Sequence, residues 1–145
     1  MKSTVSLICL LMLTACGTAP MSLLEGEPYH RTHLNRYPVN IVAVNGKFST
    51  QHPRQVYAGV STIIVEAAPV GGMRVAKQQA LAFKAQPCTR YYLAAERETS
   101  LSQDWKLVVD HTEPVGGCNP DEEIEKSKRE GIPLADIVKS KSATK

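Results

Sequence analysis

From residue 39 onward, apolar and polar positions alternate in short runs separated by turn residues, a pattern of half-buried β-strands and not of helices. Residues 39–44, Val-Asn-Ile-Val-Ala-Val, run into Asn45-Gly46. That dipeptide tolerates the positive backbone angles of a tight hairpin, so 47–50 are expected to return alongside. Gln51-His52-Pro53 then breaks the chain, 55–57 form a short strand, Ala58-Gly59 turns, and 62–67 make a strand buried on at least one face. Beyond the loop Ala68-Pro69-Val70-Gly71-Gly72, residues 79–86 place Leu81, Phe83 and Ala85 on one side and Ala82, Lys84 and Gln86 on the other. Pro87 and Cys88 end that strand. Residues 89–96 resume with Tyr91, Leu93 and Ala95 opposite Tyr92, Ala94 and Glu96, so the two tyrosines face opposite ways. One packs in the core, and the other lies at the surface, where its amphipathic ring could stack on a ligand. After the polar loop 98–104, residues 105–110 form a last strand with Trp105, Leu107 and Val109 on one face. The pattern predicts a mainly β domain, a small antiparallel β-sandwich.

Either side of this block the pattern changes. Residues 17–37 contain Pro20, Gly26 and Pro28 with no sustained periodicity, which reads as a tether. Within it, His30-Arg31-Thr32-His33 sets two histidines at a spacing that would share a helix face. No helix signal surrounds them and neither a cysteine nor an acidic cluster completes a ligand set, so the expectation is no metal and solvated side chains. At the other end, Asn119 is a good N-cap, Pro120 suits the first helical position and Asp121, Glu122 and Glu123 occupy the first turn. Lys126, Lys128 and Arg129 follow before Gly131, where a helix can stop. Only Ile124 is apolar inside this short helix, so it is expected to be solvated or marginal. Residues 133–145 read as a flexible tail, with a short apolar patch of Ile132, Leu134, Ile137 and Val138.

The first residues carry the most specific signal. Lys2 precedes an apolar run over 5–13, then Leu13-Thr14-Ala15-Cys16. This is a targeting segment: spanning a bilayer needs about 20 apolar residues, and Thr14, Gly17, Thr18 and Pro20 close the run early. Leu13 fits poorly the small-residue preference of an ordinary signal peptidase. Leu13-Thr14-Ala15-Cys16 resembles the lipobox of bacterial lipoproteins. The resemblance implies a diacylglyceryl thioether on the Cys16 thiol, cleavage before Cys16 and acylation of the new amine. Two or more acyl chains anchor a protein stably where one binds only marginally. In that family an aspartate after the cysteine retains the protein in the inner membrane; Gly17 here implies the outer membrane, facing the periplasm. Cleavage removes Cys9, and lipidation of Cys16 leaves Cys88 and Cys118 as the two thiols of an exported domain, which suggests one structural disulfide. A redox pair would more commonly be spaced Cys-x-x-Cys.

Residues 39–66 also resemble the PEGA-type small β-modules of bacterial surface proteins: a strand, an Asn-Gly turn, a returning strand, a glycine at Gly59 and a strand of the Thr62-Ile63-Ile64-Val65-Glu66 kind. That resemblance implies an Ig-like or PEGA-like meander and a carbohydrate or surface association, although Ala58 stands where those modules carry proline. The organisation expected is therefore a signal peptide over 1–15, a lipidated N-terminus and tether over 16–37, a β-domain with one disulfide over 38–118, and a short charged helix with a flexible tail over 119–145.

Composition narrows the function classes. The formal net charge is only +3, with 17 basic residues scattered among 14 acids, and no basic stripe interleaved with aromatics marks a nucleic-acid surface. No Gly-x-Ser-x-Gly elbow, phosphate-binding glycine loop or His-Glu-x-x-His helix is present, so no catalytic residue and no cofactor are expected. Asp104, Asp110, Glu113 and His111 could serve as acid and base, but they read as strand-end polarity. The expectation is a non-enzymatic envelope lipoprotein that binds or supports another envelope protein. The alternative is a module for cell-wall glycan or surface polysaccharide, with Tyr92 and Trp105 as the contacts.

Overall fold

The alternating segments form strands in the computed structural model, which describes residues 19–30, 32–70 and 75–134. In chain order they are β1 (Ser22–Glu25), β2 (Arg36–Tyr37), β3 (Val39–Val44), β4 (Lys47–Phe48), β5 (Arg54–Val56), β6 (Gly59–Ala67), β7 (Lys77–Ala85), β8 (Thr89–Glu96) and β9 (Lys106–Pro114), followed by the helix α1 (Pro120–Arg129). Two sheets face each other as a β-sandwich. One runs β4-β3-β6-β7 and is antiparallel throughout. The other is mixed: β9 pairs along one edge of β8, while β1 and β2 share its other edge and β5 closes the sheet beyond β1. The core lies between the inner faces, where Ile41, Ile63, Val65 and Phe83 meet Leu24, Val56, Tyr91 and Leu93.

The expected hairpin forms, with Asn45 at φ 48° and Gly46 at φ 74°. Phe83 and Ala85 are buried and Leu81 packs against them, while Ala82 and Lys84 are exposed, as the alternation requires. Tyr91 takes the inner face and Tyr92 the outer one. The Tyr91 ring meets Phe83 edge to face at 5.1 Å, and its hydroxyl accepts a hydrogen bond from the Gln86 amide at 2.7 Å. Cys88 and Cys118 form a disulfide with Cα atoms 5.6 Å apart, tying the β7–β8 turn to the approach to α1.

Three expectations are corrected. The stretch read as a tether supplies β1, which inserts between β8 and β5 and is parallel to β8; Leu24 is wholly buried. Four residues are too few to show periodicity, and their value lies in the edge they find. The helix is not merely solvated, because Glu123, Lys126 and Ser127 are buried. The Glu123 carboxylate accepts the Met21 amide at 2.9 Å and pairs with Lys126 Nζ at 2.5 Å, and that Nζ also reaches the Ala19 carbonyl at 3.4 Å. Polar side chains thus dock this helix onto the chain leading into β1, which an apolar count cannot register. The start of the tail is docked as well: Val60 donates to the Pro133 carbonyl at 2.9 Å, and a Cβ at Gly59 would meet that oxygen at 2.6 Å. The signal segment with Cys16, and the tail positions Ile137 and Val138, lie outside the described residues. No helix among the described residues is long and apolar enough to cross a membrane.

Candidate functional site

The outer face of the mixed sheet carries a cluster assembled from three parts of the chain. Its foundation is an irregularity in β9. Tyr92 pairs with His111 but Leu93 pairs with Val109, so Asp110 is the extra residue of a β-bulge. A bulge breaks strict alternation and re-aims side chains, and here both Asp110 and His111 reach the loop between β1 and β2. That loop leaves β1 at Gly26, where a Cβ would sit 2.1 Å from the Val39 carbonyl oxygen, and then brings Tyr29 against Tyr92 on β8.

Tyr29 lies on the cluster, stacked on His111 with ring centroids 4.0 Å apart and edge-on to Tyr92 at 5.0 Å. It stays 50% exposed, so its outer surface is open to contact. Beside it, the Asp110 carboxylate is shielded from solvent. Its Oδ2 accepts the His30 backbone amide at 2.7 Å and lies 3.3 Å from His30 Nδ1, while its Oδ1 takes the Arg36 guanidinium. Burial works against the charge on Asp110, but the His30 amide, the Arg36 hydrogen bond and the charges of Arg36 and His30 outweigh it and hold the carboxyl below its usual range. Arg36 also lies 3.6 Å from Glu96, which Lys106 approaches to 3.2 Å.

Toward the other end of the face, the Tyr92 hydroxyl donates to Glu113 at 2.8 Å, and Arg90 reaches the same oxygen at 3.2 Å. The Arg90 hydrogen bond pulls the Tyr92 phenol down, but the bond to Glu113, burial and the Glu113 charge together leave it raised. Tyr92 is therefore a held ring under Tyr29, half-buried, and of these two tyrosines Tyr29 is the accessible one. Trp105, the other expected contact, is buried in the core at 7% exposure. It immediately precedes β9 and packs in the core, and its carbonyl accepts Gln79 Nε2 at 2.8 Å. It cannot serve as a surface contact without moving the core. Val109, expected to share a face with Trp105 and Leu107, pairs with Leu93 but is 46% exposed.

In space, the two histidines do have an acid beside them. His30, His33 and Asp110 each present one ligand atom, and these atoms all lie within 4.8 Å of one another. The acid missing from the local sequence comes from β9, 80 positions beyond His30. The readable trace of this was the run Val108-Val109-Asp110-His111, two apolar residues followed by two polar ones, which cannot be a regular alternating strand.

The fold and this face together define a small disulfide-stapled β-sandwich with an aromatic and histidine cluster over its mixed sheet. Comparison of the chain with protein-family models, curated proteins and solved structures finds no match.

Proposed function

We propose that this protein is a lipid-anchored envelope module, cleaved before Cys16 and held by acyl chains in the outer membrane facing the periplasm, whose role is to bind another envelope protein. The anchoring rests on the segment before Cys16. What the fold adds is proximity: residues 19–21 are already fastened to α1, so only a few residues, roughly 10 Å of extended chain, separate the lipid from the sandwich. The module then sits close against the membrane instead of swinging on a long tether.

The observation that carries the binding role is the half-exposed Tyr29, stacked on His111 and edge-on to Tyr92. A preordered aromatic contributes contact area with little entropy to lose on binding. The carboxylates around it are engaged, Asp110 by Arg36 and His30 and Glu113 by Arg90 and Tyr92, which suits a scaffold better than acid–base catalysis. Two measurements test the proposal separately. Cys16→Ala should abolish lipid labelling and move the protein from the membrane to the soluble fraction; unchanged processing and fractionation would sink the anchoring. A photocrosslinker at position 29 should yield a discrete protein adduct in intact cells that one at exposed position 62, on the other sheet, does not. Absence of that difference would remove Tyr29 as the docking point. The same exposed ring also supports the glycan alternative, which would be favoured if purified peptidoglycan retained the protein and Tyr29→Ala released it.

A further inference from the structure

We propose that His30, His33 and Asp110 form a binding site for a divalent late transition metal, with zinc as its representative. Two imidazoles and one carboxylate make a donor set suited to such ions. With zinc bonds of 2.0–2.2 Å, neighbouring ligand atoms in a tetrahedral site stand about 3.3 to 3.5 Å apart. The His30 Nδ1 to Asp110 Oδ2 separation is already 3.3 Å. All three ligand atoms lie within 4.8 Å of one another, and both histidines are exposed, so side-chain rotation can supply the remaining contraction.

The surroundings favour this reading. Asp110 is oriented before any ion arrives: the Arg36 guanidinium takes Oδ1 and the His30 amide fixes Oδ2 on the side facing the histidines. Such outer partners commonly position metal ligands, although the positive charge of Arg36 also reduces the affinity. His30 and His33 meet edge to face with ring centroids 5.6 Å apart, so their rings converge on one region. Three protein ligands leave a coordination position open to solvent, where a water molecule or a donor group from a partner can bind. The proposal goes beyond the anchoring and docking described above and depends on neither.

The test is calorimetric titration of zinc into the full chain, purified without a polyhistidine tag and stripped with chelator, alongside His30→Ala, His33→Ala and His52→Ala. The expected result is one ion per chain with a dissociation constant in the micromolar range. His30→Ala and His33→Ala should each weaken binding by more than about tenfold, at least the scale at which losing an outer partner is felt. His52→Ala should bind as the parent does. Dependence on His30 and His33 also separates this site from zinc held by the Cys9 or Cys16 thiols of unprocessed chain. Because His33 is exposed, its variant should fold normally, which circular dichroism will check. Failure of the parent to bind zinc, or unchanged binding in both His30→Ala and His33→Ala, overturns the proposal.

Discussion

Neighbouring residues 91 and 92 show how much of a side chain's role alternation decides. The pattern separates Tyr91 from Tyr92 across the sheet, and the structure adds their partners: Phe83 and the Gln86 amide for one, Glu113 and Tyr29 for the other. Burial raises the Tyr91 phenol more than its hydrogen bonds to Gln86 and Thr89 lower it. A folded value above the unfolded one means that this contribution is complete below about pH 10, the unfolded tyrosine value, and is lost as pH rises through the folded value. Tyr91→Phe should therefore flatten the alkaline limb of a stability–pH curve measured by urea unfolding, at a cost of about 1 kcal/mol at neutral pH for the lost hydrogen bond. Gly26 was legible only as a loop residue. Its carbonyl accepts the Val39 amide at 2.8 Å, and the Val39 carbonyl oxygen occupies the space a Cβ would need. Gly26→Ala should cost about 3 kcal/mol, the upper part of the range for overpacking because backbone must move, and the shift in urea midpoint will show it.

At the scale of elements, α1 was legible at its ends and illegible along its face. Asn119 caps it by accepting the Asp121 amide at 3.1 Å, with Pro120 and three acids in the first turn, as local chemistry requires. Which acid turns inward depends on where β1 lies. Glu123 is buried at 1% exposure against Met21 and Lys126, whereas Glu125 pairs with Lys128 in solvent. Glu123→Ala leaves the Lys126 charge buried and should cost about 3 to 5 kcal/mol, while Glu125→Ala should stay within about 0.5 kcal/mol. Chemical denaturation of the two variants gives the comparison, and faster hydrogen exchange at the Met21 amide in the first would locate the damage. The β9 bulge is a second instance. Its broken alternation stands in the sequence, but the identity of the residues facing Asp110 does not.

Over the whole molecule, the disulfide closes a separation of 30 residues between the β7–β8 turn and the approach to α1. On the chain-entropy account such a loop stabilises the fold by about 3 to 4 kcal/mol. The paired substitution of Cys88 and Cys118 by alanine should lower unfolding free energy by that amount without changing the strand content seen by circular dichroism. A loss below about 1 kcal/mol would show that the unfolded chain gains little freedom from opening the loop. By itself the sequence determined the features that rest on near neighbours: strand alternation from residue 39, the Asn45-Gly46 hairpin, the helix cap, and two cysteines suited to one bridge. Nothing local foretells that β1 joins β8 in parallel, that α1 grips Met21 across 102 positions, or that Asp110 meets His30 across 80; these arise when the chain packs. Periodicity reports which face of a segment seeks burial, and it carries no record of which distant segment will cover that face or complete its hydrogen bonds.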